Sequence, residues 1–249
     1  MAESRRKAVV TGSSSGIGAA TARALAGAGF EVFCAARRID RLEPLAAEIG
    51  GVAVACDVTD AAAVERLAEK VGPTLNVLVN NAGGSIGTDD VVDANPDDWR
   101  RMFDINVIGA LTVTRALMPA MIASGDAVLI NMGSTAGRVV YETGGGYTAA
   151  KHALAAMTLT LRLELLGQPV RITEISPGMV ATAEFGLGRF RGDQAKRDAT
   201  YAGVRNPLVA EDIADIVTWV ATRPSHVNID LLITRPRAQA TQTKVWRED

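Results

Sequence analysis

The chain has 249 residues, of which 22% are charged, and its formal net charge at pH 7 is −2. This length is enough for one well-buried α/β domain or for two small ones. The near balance of charge excludes the basic excess with which proteins follow a phosphate backbone, so we expect no nucleic-acid partner.

Apolar residues occur only in short runs, such as residues 8–10 and 77–79. These runs are far shorter than the roughly 20 residues that cross a bilayer, so we expect no membrane association. The N-terminal residues lead into a strand-like run instead of a cleavable apolar segment, which predicts a cytoplasmic protein.

Metal or redox chemistry is not expected from the cysteines and histidines. Cys34 and Cys56 each lie in an apolar stretch, outside any C-x-x-C or Cys/His cluster, so we interpret them as small buried hydrophobes. His152 and His226 are too few for a zinc site without the cysteines. We therefore predict no metal.

Short runs rich in Val, Ile and Leu alternate with segments of helical spacing, which is typical of a parallel sheet with crossover helices. In chain order the pattern predicts strand 7–12, helix 16–28, strands 31–37 and 52–58, helix 61–71, strand 75–80, helix 96–123, strand 127–132, helix 147–166, strand 170–176, helix 210–222 and strand 230–234. Right-handed crossovers place such helices on both faces of one seven-stranded sheet. No linker or repeat interrupts the alternation, so residues 1–249 are predicted to form a single domain.

Residues 183–207 break this alternation, because they are rich in Gly, Arg and Asp and have few apolar positions in register. We interpret the segment as a mobile loop that follows the sixth strand, at the edge of the sheet where open α/β folds bind ligands. The functional interpretation is a substrate lid. The alternative is a solvated surface loop.

A glycine-rich turn, Thr-Gly-Ser-Ser-Ser-Gly-Ile-Gly at residues 11–18, follows the first predicted strand directly. Gly12 permits a sharp turn, Gly16 leaves room for backbone beside a pyrophosphate, and Gly18 lets helix and strand pack closely. The N–H groups at the start of the helix would bind the phosphates. The same pattern also fits a plain structural turn, but its position at the first strand-to-helix connection favours a dinucleotide site.

The end of the second predicted strand indicates which dinucleotide is bound. NAD sites usually carry an acidic residue there, about 20 residues after the glycines, for the ribose 2′-hydroxyl. Here Arg37 and Arg38 are placed to pair with a 2′-phosphate, so we expect NADP(H), with NAD(H) less favoured. The alternative is that both arginines only solvate the start of the next helix. Asp57, at the end of the third strand, could bind the adenine amino group or serve as a turn residue.

Two further segments carry small or polar residues at unusual places. Asn-Asn-Ala-Gly at residues 80–83 ends the fourth strand, where small residues would let a nucleotide lie against the backbone. Asn106 and Gly109 fall inside a long predicted helix, where each is locally unfavourable. We expect a distortion there that is kept for a reason.

Ser134 ends the fifth predicted strand, and Tyr147 and Lys151 follow it on a predicted helix. Four residues apart, Tyr147 and Lys151 share one helix face and can act on the same substrate oxygen and ribose. A nearby ammonium and an oxidised nicotinamide would lower the phenol pKa from about 10 toward the working range. Ser134 could hold the carbonyl oxygen by a second hydrogen bond. The set predicts a soluble, nicotinamide-dependent oxidoreductase that interconverts an alcohol and a carbonyl; the alternative is a surface Tyr–Lys pair.

Taken together, these residues resemble the short-chain dehydrogenase/reductase family. The shared motifs are Thr-Gly-x-x-x-Gly-x-Gly, Asn-Asn-Ala-Gly, Asn106, Ser134, Tyr-x-x-x-Lys, and Pro-Gly at residues 177–178 with Thr182 after it. They occur in the family's order along nearly the whole chain. The resemblance implies a three-layer Rossmann fold, a doubly wound seven-stranded parallel sheet with helices on both faces.

The resemblance also implies roles for single residues. Tyr147 would be the acid/base, Lys151 would lower its pKa and hold the nicotinamide ribose, Ser134 would bind substrate, and Asn106 would hold a water in the proton relay. The cofactor would be bound by Gly12, Ser14, Ser15, Gly16, Ile17, Gly18, Arg37, Arg38, Asp57, Val58, Asn81, Ala82, Gly83, Tyr147, Lys151, Pro177, Gly178, Val180 and Thr182. Family members mostly form dimers or tetramers, so a homo-oligomer is expected by analogy.

Departures from the family pattern narrow the expected function. Ser15 stands where many NADP-using members have a basic residue, so the NADP preference would rest on Arg37 and Arg38. Gly133 replaces a frequent serine, with little expected consequence. The last strand and its tail, residues 228–236, lack the Asp-Gly-Gly ending common in ketoacyl-carrier-protein reductases. They resemble instead the NADP-dependent 3-hydroxy-acid (serine-type) dehydrogenases and the related clavulanate-pathway aldehyde reductase.

Three functions remain open from the residues. The favoured one is an NADP(H)-dependent carbonyl reductase or alcohol dehydrogenase acting on a small molecule. A non-catalytic dinucleotide-binding module would be expected to have lost part of the Ser/Tyr/Lys set, which is intact here. A 3-oxoacyl-(acyl-carrier-protein) reductase-like enzyme would need a basic patch at the site mouth, for which Arg189, Arg191, Lys196 and Arg197 are candidates diluted by two aspartates.

Overall fold

Seven parallel strands form one sheet in the computed structural model of the chain, which describes residues 5–248. The strands are β1 (Lys7–Thr11), β2 (Glu31–Ala36), β3 (Val52–Ala55), β4 (Val77–Asn80), β5 (Ala127–Met132), β6 (Val170–Pro177) and β7 (Leu231–Thr234). Their order across the sheet is β3-β2-β1-β4-β5-β6-β7, and every pairing is parallel. The predicted doubly wound architecture is therefore confirmed.

Helices cover both faces of the sheet. They are α1 (Gly16–Gly27), α2 (Ile39–Ile49), α3 (Ala61–Val71), α4 (Pro96–Phe103), α5 (Gly109–Ala123), α6 (Gly145–Glu164), α7 (Ala183–Arg189), α8 (Gln194–Tyr201) and α9 (Ala210–Ala221). Helices α1, α2 and α9 pack on one face, and α3, α5 and the end of α6 pack on the other. Because both faces are covered, the strands have apolar side chains on both sides.

Alternate strand residues supply the two cores. In β1, Ala8 and Val10 belong to the core under α1 and α9, whereas Val9 belongs to the opposite core. In β5, Ile130 belongs to the core under α1 and α9, and Leu129 belongs to the opposite core. This division follows from the two-residue period of a strand, and it explains why the strands read as continuous Val, Ile and Leu runs.

The strand order reverses between β1 and β4, since β2 and β3 lie on one side of this pair and β5 to β7 on the other. The connections that follow β1 and β4 therefore leave toward opposite directions, which opens a crevice at the carboxyl ends of the two strands. The candidate functional site lies in this crevice.

Some strand ends fall earlier than predicted. β1 stops at Thr11 because Gly12 takes a left-handed conformation with φ of 68°. The third predicted strand, 52–58, ends at Ala55, since Asp57 turns the chain by accepting a hydrogen bond from the N–H of Thr59 at 3.0 Å.

A helix was expected after Arg38, but no bounds were predicted for it; the structure places α2 there. Its sequence carries Pro44 in the helix interior, which removes one backbone hydrogen bond and disfavours a helix locally. Leu42 and Leu45 lie on one face of α2 and are buried in the core. The free energy gained by burying this face outweighs the helix propensity lost at Pro44. Tertiary packing therefore stabilises α2.

The prediction of a loop over residues 183–207 was wrong, because the segment holds the helices α7 and α8. Each is short and few of its residues are buried, so the apolar period on which helix prediction depends is weak here. Asp193 caps α8 through a hydrogen bond from the N–H of Lys196 at 3.1 Å. We keep the name lid segment for residues 183–207.

The helical run Pro96–Ala123 contains the distortion expected from Asn106 and Gly109. A π-helical turn, Asp104–Ile108, separates α4 from α5. By length and composition alone, this run could cross a membrane, which the short apolar runs in the sequence did not indicate. Its buried residues Leu117 and Met121 pack in the core against the sheet, as in the core helix of a globular fold.

Candidate active site

A cavity of about 850 Å³ opens at the carboxyl ends of the strands. Its walls come from the glycine-rich turn, the connections after β4, β5 and β6, helix α6, the lid segment, and the tail formed by residues 235–248. The predicted site residues that line it are Gly12, Ser15, Gly16, Ile17, Gly18, Arg37, Asn81, Ala82, Gly83, Ser134, Tyr147, Lys151, Pro177, Gly178, Val180 and Thr182. The fold thus places the predicted cofactor-binding residues and the predicted catalytic residues around the same cavity.

The glycine-rich turn has the geometry of an anion cradle. Gly12 and Gly16 have positive φ values of 68° and 52°, which side-chain-bearing residues rarely adopt. A Cβ on Gly18 would lie 2.4 Å from the Gly12 oxygen, so only glycine lets α1 pack this closely on β1. Ser15 precedes α1 without capping it by its side chain. The first N–H groups of α1 therefore remain available to a phosphate.

A carboxylate from the lid segment reaches the expected 2′-phosphate site. Glu184 pairs with Arg38 at 2.6 Å (Nη2–Oε2) and with Arg41, and it accepts a hydrogen bond from Ser15 at 2.8 Å. Arg38 also donates to the Ser14 hydroxyl at 2.7 Å. The hydrogen bond from Arg38 is the main cause that lowers the pKa of Glu184 to about 2. The sequence analysis did not predict this pair, because Glu184 lies 146 residues after Arg38.

Four predicted cofactor residues do not line the cavity. Ser14 and Arg38 interact with each other beside it. Oδ1 of Asp57 accepts hydrogen bonds from the N–H and the hydroxyl of Thr59, at 3.0 and 2.8 Å, so Asp57 serves the turn, one of the two roles left open for it. Val58 is buried with 8% of its surface exposed.

The predicted catalytic side chains lie on adjoining walls. Tyr147 and Lys151 are 8% and 5% exposed. Lys151 Nζ donates to the backbone oxygen of Met132 at 2.8 Å and lies 5.8 Å from the centroid of the Tyr147 ring. Ser134 starts a 3₁₀ turn, in which its Oγ accepts a hydrogen bond from the N–H of Ala136 at 3.1 Å.

Burial is the main influence on the titration of this pair. It raises the pKa of the Tyr147 phenol above the ordinary value, and the nearby Ser134 hydroxyl offsets part of the rise. It lowers the pKa of Lys151 to about 8, and the charge of Glu174 offsets part of that change. A positive charge brought beside the phenol would favour phenolate, so the pair is sensitive to what binds next to it.

Asn106 is buried behind the cavity wall, in the π-helical turn. Its Nδ2 donates to the backbone oxygens of Gly84 and Met102, at 2.9 and 2.8 Å, and its Oδ1 accepts from the Gly84 N–H at 3.2 Å. A Cβ on Gly83 would lie 2.5 Å from that Oδ1. Both amide hydrogens of Asn106 are thus engaged, and its side chain can bind a water only through the remaining acceptor position of Oδ1.

Gly133 has a packing role that the sequence did not indicate, contrary to the expectation of little consequence. A Cβ at Gly133 would lie 2.3 Å from Oε1 of Glu174 and 2.7 Å from Oγ of Ser176. Glu174 is 1% exposed, accepts a hydrogen bond from Ser176 at 2.6 Å and pairs with Arg138. The glycine therefore makes room for a buried carboxylate behind Ser134 and Lys151.

Sequence reasoning missed the contribution of the tail. Gln239 Oε1 accepts a hydrogen bond from the N–H of Met179 at 2.9 Å, and Gln242 Oε1 accepts from the Thr135 hydroxyl at 2.9 Å. Both glutamines line the cavity. Because the tail has no regular periodicity, only its departure from the family ending signalled a special role.

Phe185 and Arg189 of α7 also line the cavity. The Phe185 ring packs edge-on against Tyr147, with 5.5 Å between ring centroids. The lid segment thus packs against the ring of Tyr147.

The cysteines are buried free thiols, as predicted. Burial raises the pKa of Cys34 and of Cys56 to about 11. Within residues 5–248, no group of three or more His, Cys, Asp or Glu side chains is arranged to hold a metal ion.

Comparisons with known proteins agree with this geometry. The family model described as short chain dehydrogenase matches residues 6–186. An uncharacterised oxidoreductase of Mycobacterium tuberculosis is 57% identical over 96% of this chain and 94% of its own. Serine 3-dehydrogenase of Agrobacterium fabrum is 39% identical over 96% and 98%. The closed form of a serine dehydrogenase complexed with NADP+ superposes with a TM-score of 0.91 at 35% identity, covering 98% of this chain and all of the other.

Proposed function

The chain belongs to the short-chain dehydrogenase family and is an oxidoreductase, and from this premise we propose that it transfers a hydride between NADP(H) and the carbonyl or alcohol carbon of a small hydroxy-acid type substrate. The observation that carries the proposal is the intact set of Ser134, Tyr147 and Lys151 on one cavity beside a dinucleotide-type glycine turn. Similarity to serine 3-dehydrogenase supports the substrate class.

The three side chains divide the proton chemistry between them. When bound, the nicotinamide supplies or accepts the hydride. Tyr147 donates its phenolic proton to the carbonyl oxygen in reduction and accepts the hydroxyl proton in oxidation. Ser134 donates a hydrogen bond to the same oxygen. Lys151 would stabilise phenolate by its charge, and from the same helix face it could hold the ribose of the cofactor.

NADP(H) is the cofactor that the residues suit best. The N–H groups at the start of α1 would bind the pyrophosphate, and Arg37 and Arg38 would bind the 2′-phosphate. Arg37 lines the cavity, and Arg38 lies beside it. The similar serine dehydrogenase was solved with NADP+. Asn106 would act as a positioning residue, since it anchors the connection after β4.

An acyl-carrier-protein substrate has less support. Three of the four basic residues considered for a docking patch are paired with aspartates: Arg191 with Asp89 and Asp98, Lys196 with Asp193, and Arg197 with Asp198. Pairing cancels most of the field that would attract an acidic carrier protein. We therefore favour a free small molecule.

The test is turnover followed by the absorbance of reduced nicotinamide. Purified protein is mixed with NADP+ or NAD+ and a panel of 3-hydroxy acids and secondary alcohols, and with NADPH and the matching ketones. We expect turnover with NADP(H) at higher kcat/KM than with NAD(H). Binding of NADPH without turnover of any compound in the panel would contradict the proposal and favour a non-catalytic module.

We further propose a cytoplasmic homo-oligomer, with a second copy of this chain covering the outer face of α6. Leu159 and Leu163 lie on that face and are 55% and 79% exposed, and Leu166 follows at 87%. Large apolar side chains grouped in this way mark contact surfaces. Light scattering of the purified protein should give at least a dimer mass, and a monomer at micromolar concentration would contradict this.

A further inference from the structure

One arginine that lines the cavity, Arg189, has no carboxylate partner among the residues that the structure describes. Arg189, the last residue of α7, lines the cavity and forms no ion pair with any residue in the range 5–248. Its Nε is shielded from solvent and has no hydrogen-bond partner within that range. By contrast, Arg191, two residues later, pairs with Asp89 and Asp98.

Aromatic rings hold this guanidinium in place. Its Cζ lies 5.3 Å from the ring centroid of Tyr141 and 5.6 Å from that of Phe190. Uncharged rings of this kind attract a cation but do not neutralise its charge. The positive charge of Arg189 is therefore held between two aromatic side chains and is not balanced by a carboxylate in the range 5–248.

Arg189 also lines the same cavity as Tyr147. It stands four residues after Phe185 on α7, so both side chains project from one helix face. Phe185 contacts Tyr147 at 5.5 Å between ring centroids. The charge of Arg189 is among the influences that lower the pKa of Tyr147 against the larger effect of burial. A substrate whose hydroxyl meets Tyr147 would thus have its other end close to the guanidinium.

We propose that Arg189 binds the carboxylate of the substrate and so makes the enzyme select hydroxy acids over the corresponding neutral alcohols. This inference rests on the function proposed above. An unpaired, partly desolvated guanidinium gains a charge-assisted, bidentate pair when a carboxylate enters, whereas an ester or an alcohol leaves its donors unmatched. Since α7 belongs to the lid segment, the same contact would favour closure of the lid over an acid.

The test compares acids with their esters. The wild-type protein and Arg189→Gln are assayed with NADP+ and 3-hydroxybutyrate or serine, and with the methyl esters of both. We expect Arg189→Gln to lower kcat/KM for the acids by about 30-fold or more, mainly through KM, and for the esters by less than about threefold. Lys196→Gln, which removes a 68% exposed positive charge from the same lid segment, should leave both ratios unchanged.

Equal losses for acids and esters would overturn the inference, because Arg189 would then only support the lid; unchanged kinetics would overturn it as well. Arg189→Lys keeps the positive charge but loses the planar guanidinium that pairs with a carboxylate through two hydrogen bonds. It should therefore retain an intermediate preference for acids. If the wild type oxidises no compound, the proposed function fails, and the inference is decided by calorimetry of 3-hydroxybutyrate binding to NADP+-loaded protein. Weaker binding by Arg189→Gln supports it, whereas equal or undetectable binding by both proteins overturns it.

Discussion

The absence of a Cβ at Gly133 leaves room for a buried carboxylate beside the candidate site. Its replacement of a serine looked neutral in the sequence, because nothing local reveals what faces that position. The structure shows the carboxylate of Glu174, 1% exposed, filling the space that a Cβ would need. Contacts between residues on adjacent strands follow from register, which the pattern of a single sequence does not supply.

Gly133→Ala should therefore destabilise the protein by about 1–3 kcal/mol, since the added methyl group forces the buried Glu174 to move. Chemical denaturation measures the loss. Gly27→Ala is the matched control, because a Cβ at Gly27 meets no atom within 4 Å, and it should be neutral or slightly stabilising. Equal effects of the two substitutions would show that the Glu174 contact is unimportant.

Lys151 gives a pH dependence of known sign. Its pKa is lowered by burial from 10.5 to about 8, so the unfolded chain binds more protons than the folded one between these values. The free energy of unfolding should therefore rise with pH through this group, by up to about 1 kcal/mol between pH 8 and 9. The raised pKa values of Cys34 and Cys56 act in the opposite direction from about pH 8 upwards, so the contribution of Lys151 is measured as the difference between the wild type and a Lys151 variant.

The measurement is urea denaturation of cofactor-free protein at pH 8 and pH 9. Lys151→Met should lose this rise relative to the wild type, while Lys196→Gln, which changes an exposed lysine, should retain it. The same slope in Lys151→Met would contradict the assignment.

Helices and strands were predicted correctly where buried apolar residues recur with a regular period, and were missed where they do not. The strands and α1, α3, α5 and α9 follow from their apolar periods. Helices α7 and α8 bury few residues and were missed. The long helix was predicted with a distortion, because an asparagine and a glycine are costly inside it, but the π-helical turn itself required coordinates.

The lid segment and the cofactor site are joined by Glu184. Its carboxylate pairs with Arg38 and Arg41, which the 2′-phosphate of NADP(H) would also approach. Glu184→Gln should therefore tighten NADPH binding by about fivefold at low salt and leave NADH binding unchanged. Titration of nicotinamide fluorescence measures both affinities.

Glu48→Gln is the control for that substitution, because it removes the carboxylate of Glu48 on α2 from an exposed pair with Arg23 on α1. It should change neither affinity. Weaker NADPH binding by Glu184→Gln would show that the carboxylate orients Arg38 for the phosphate instead of competing with it.

For the whole molecule, the alternation of strands and helices was sufficient to predict the sheet, its parallel pairing and the crevice at the reversal of strand order. The spacing of Ser134, Tyr147 and Lys151 was sufficient to predict their shared cavity. The positions of Glu184, Arg189, Gln239 and Gln242 could not be predicted, since they depend on how the lid segment and the tail fold back over the strands. The chemistry and the substrate class therefore followed from the motifs and from the resemblance of the tail, whereas the residues that would contact the substrate did not.

The Tyr147 phenol is expected to exchange a proton with the substrate oxygen while hydride moves, and Tyr147→Phe removes that proton. With NADP+ and an oxidisable 3-hydroxy acid, turnover should fall by about 10²–10⁴-fold while the NADPH affinity stays within a few-fold of the wild type. Tyr141→Phe, which removes the hydroxyl of another tyrosine in the same cavity, should keep most of the activity. Wild-type turnover in Tyr147→Phe, with cofactor bound, would show that the Tyr147 phenol does not exchange the proton.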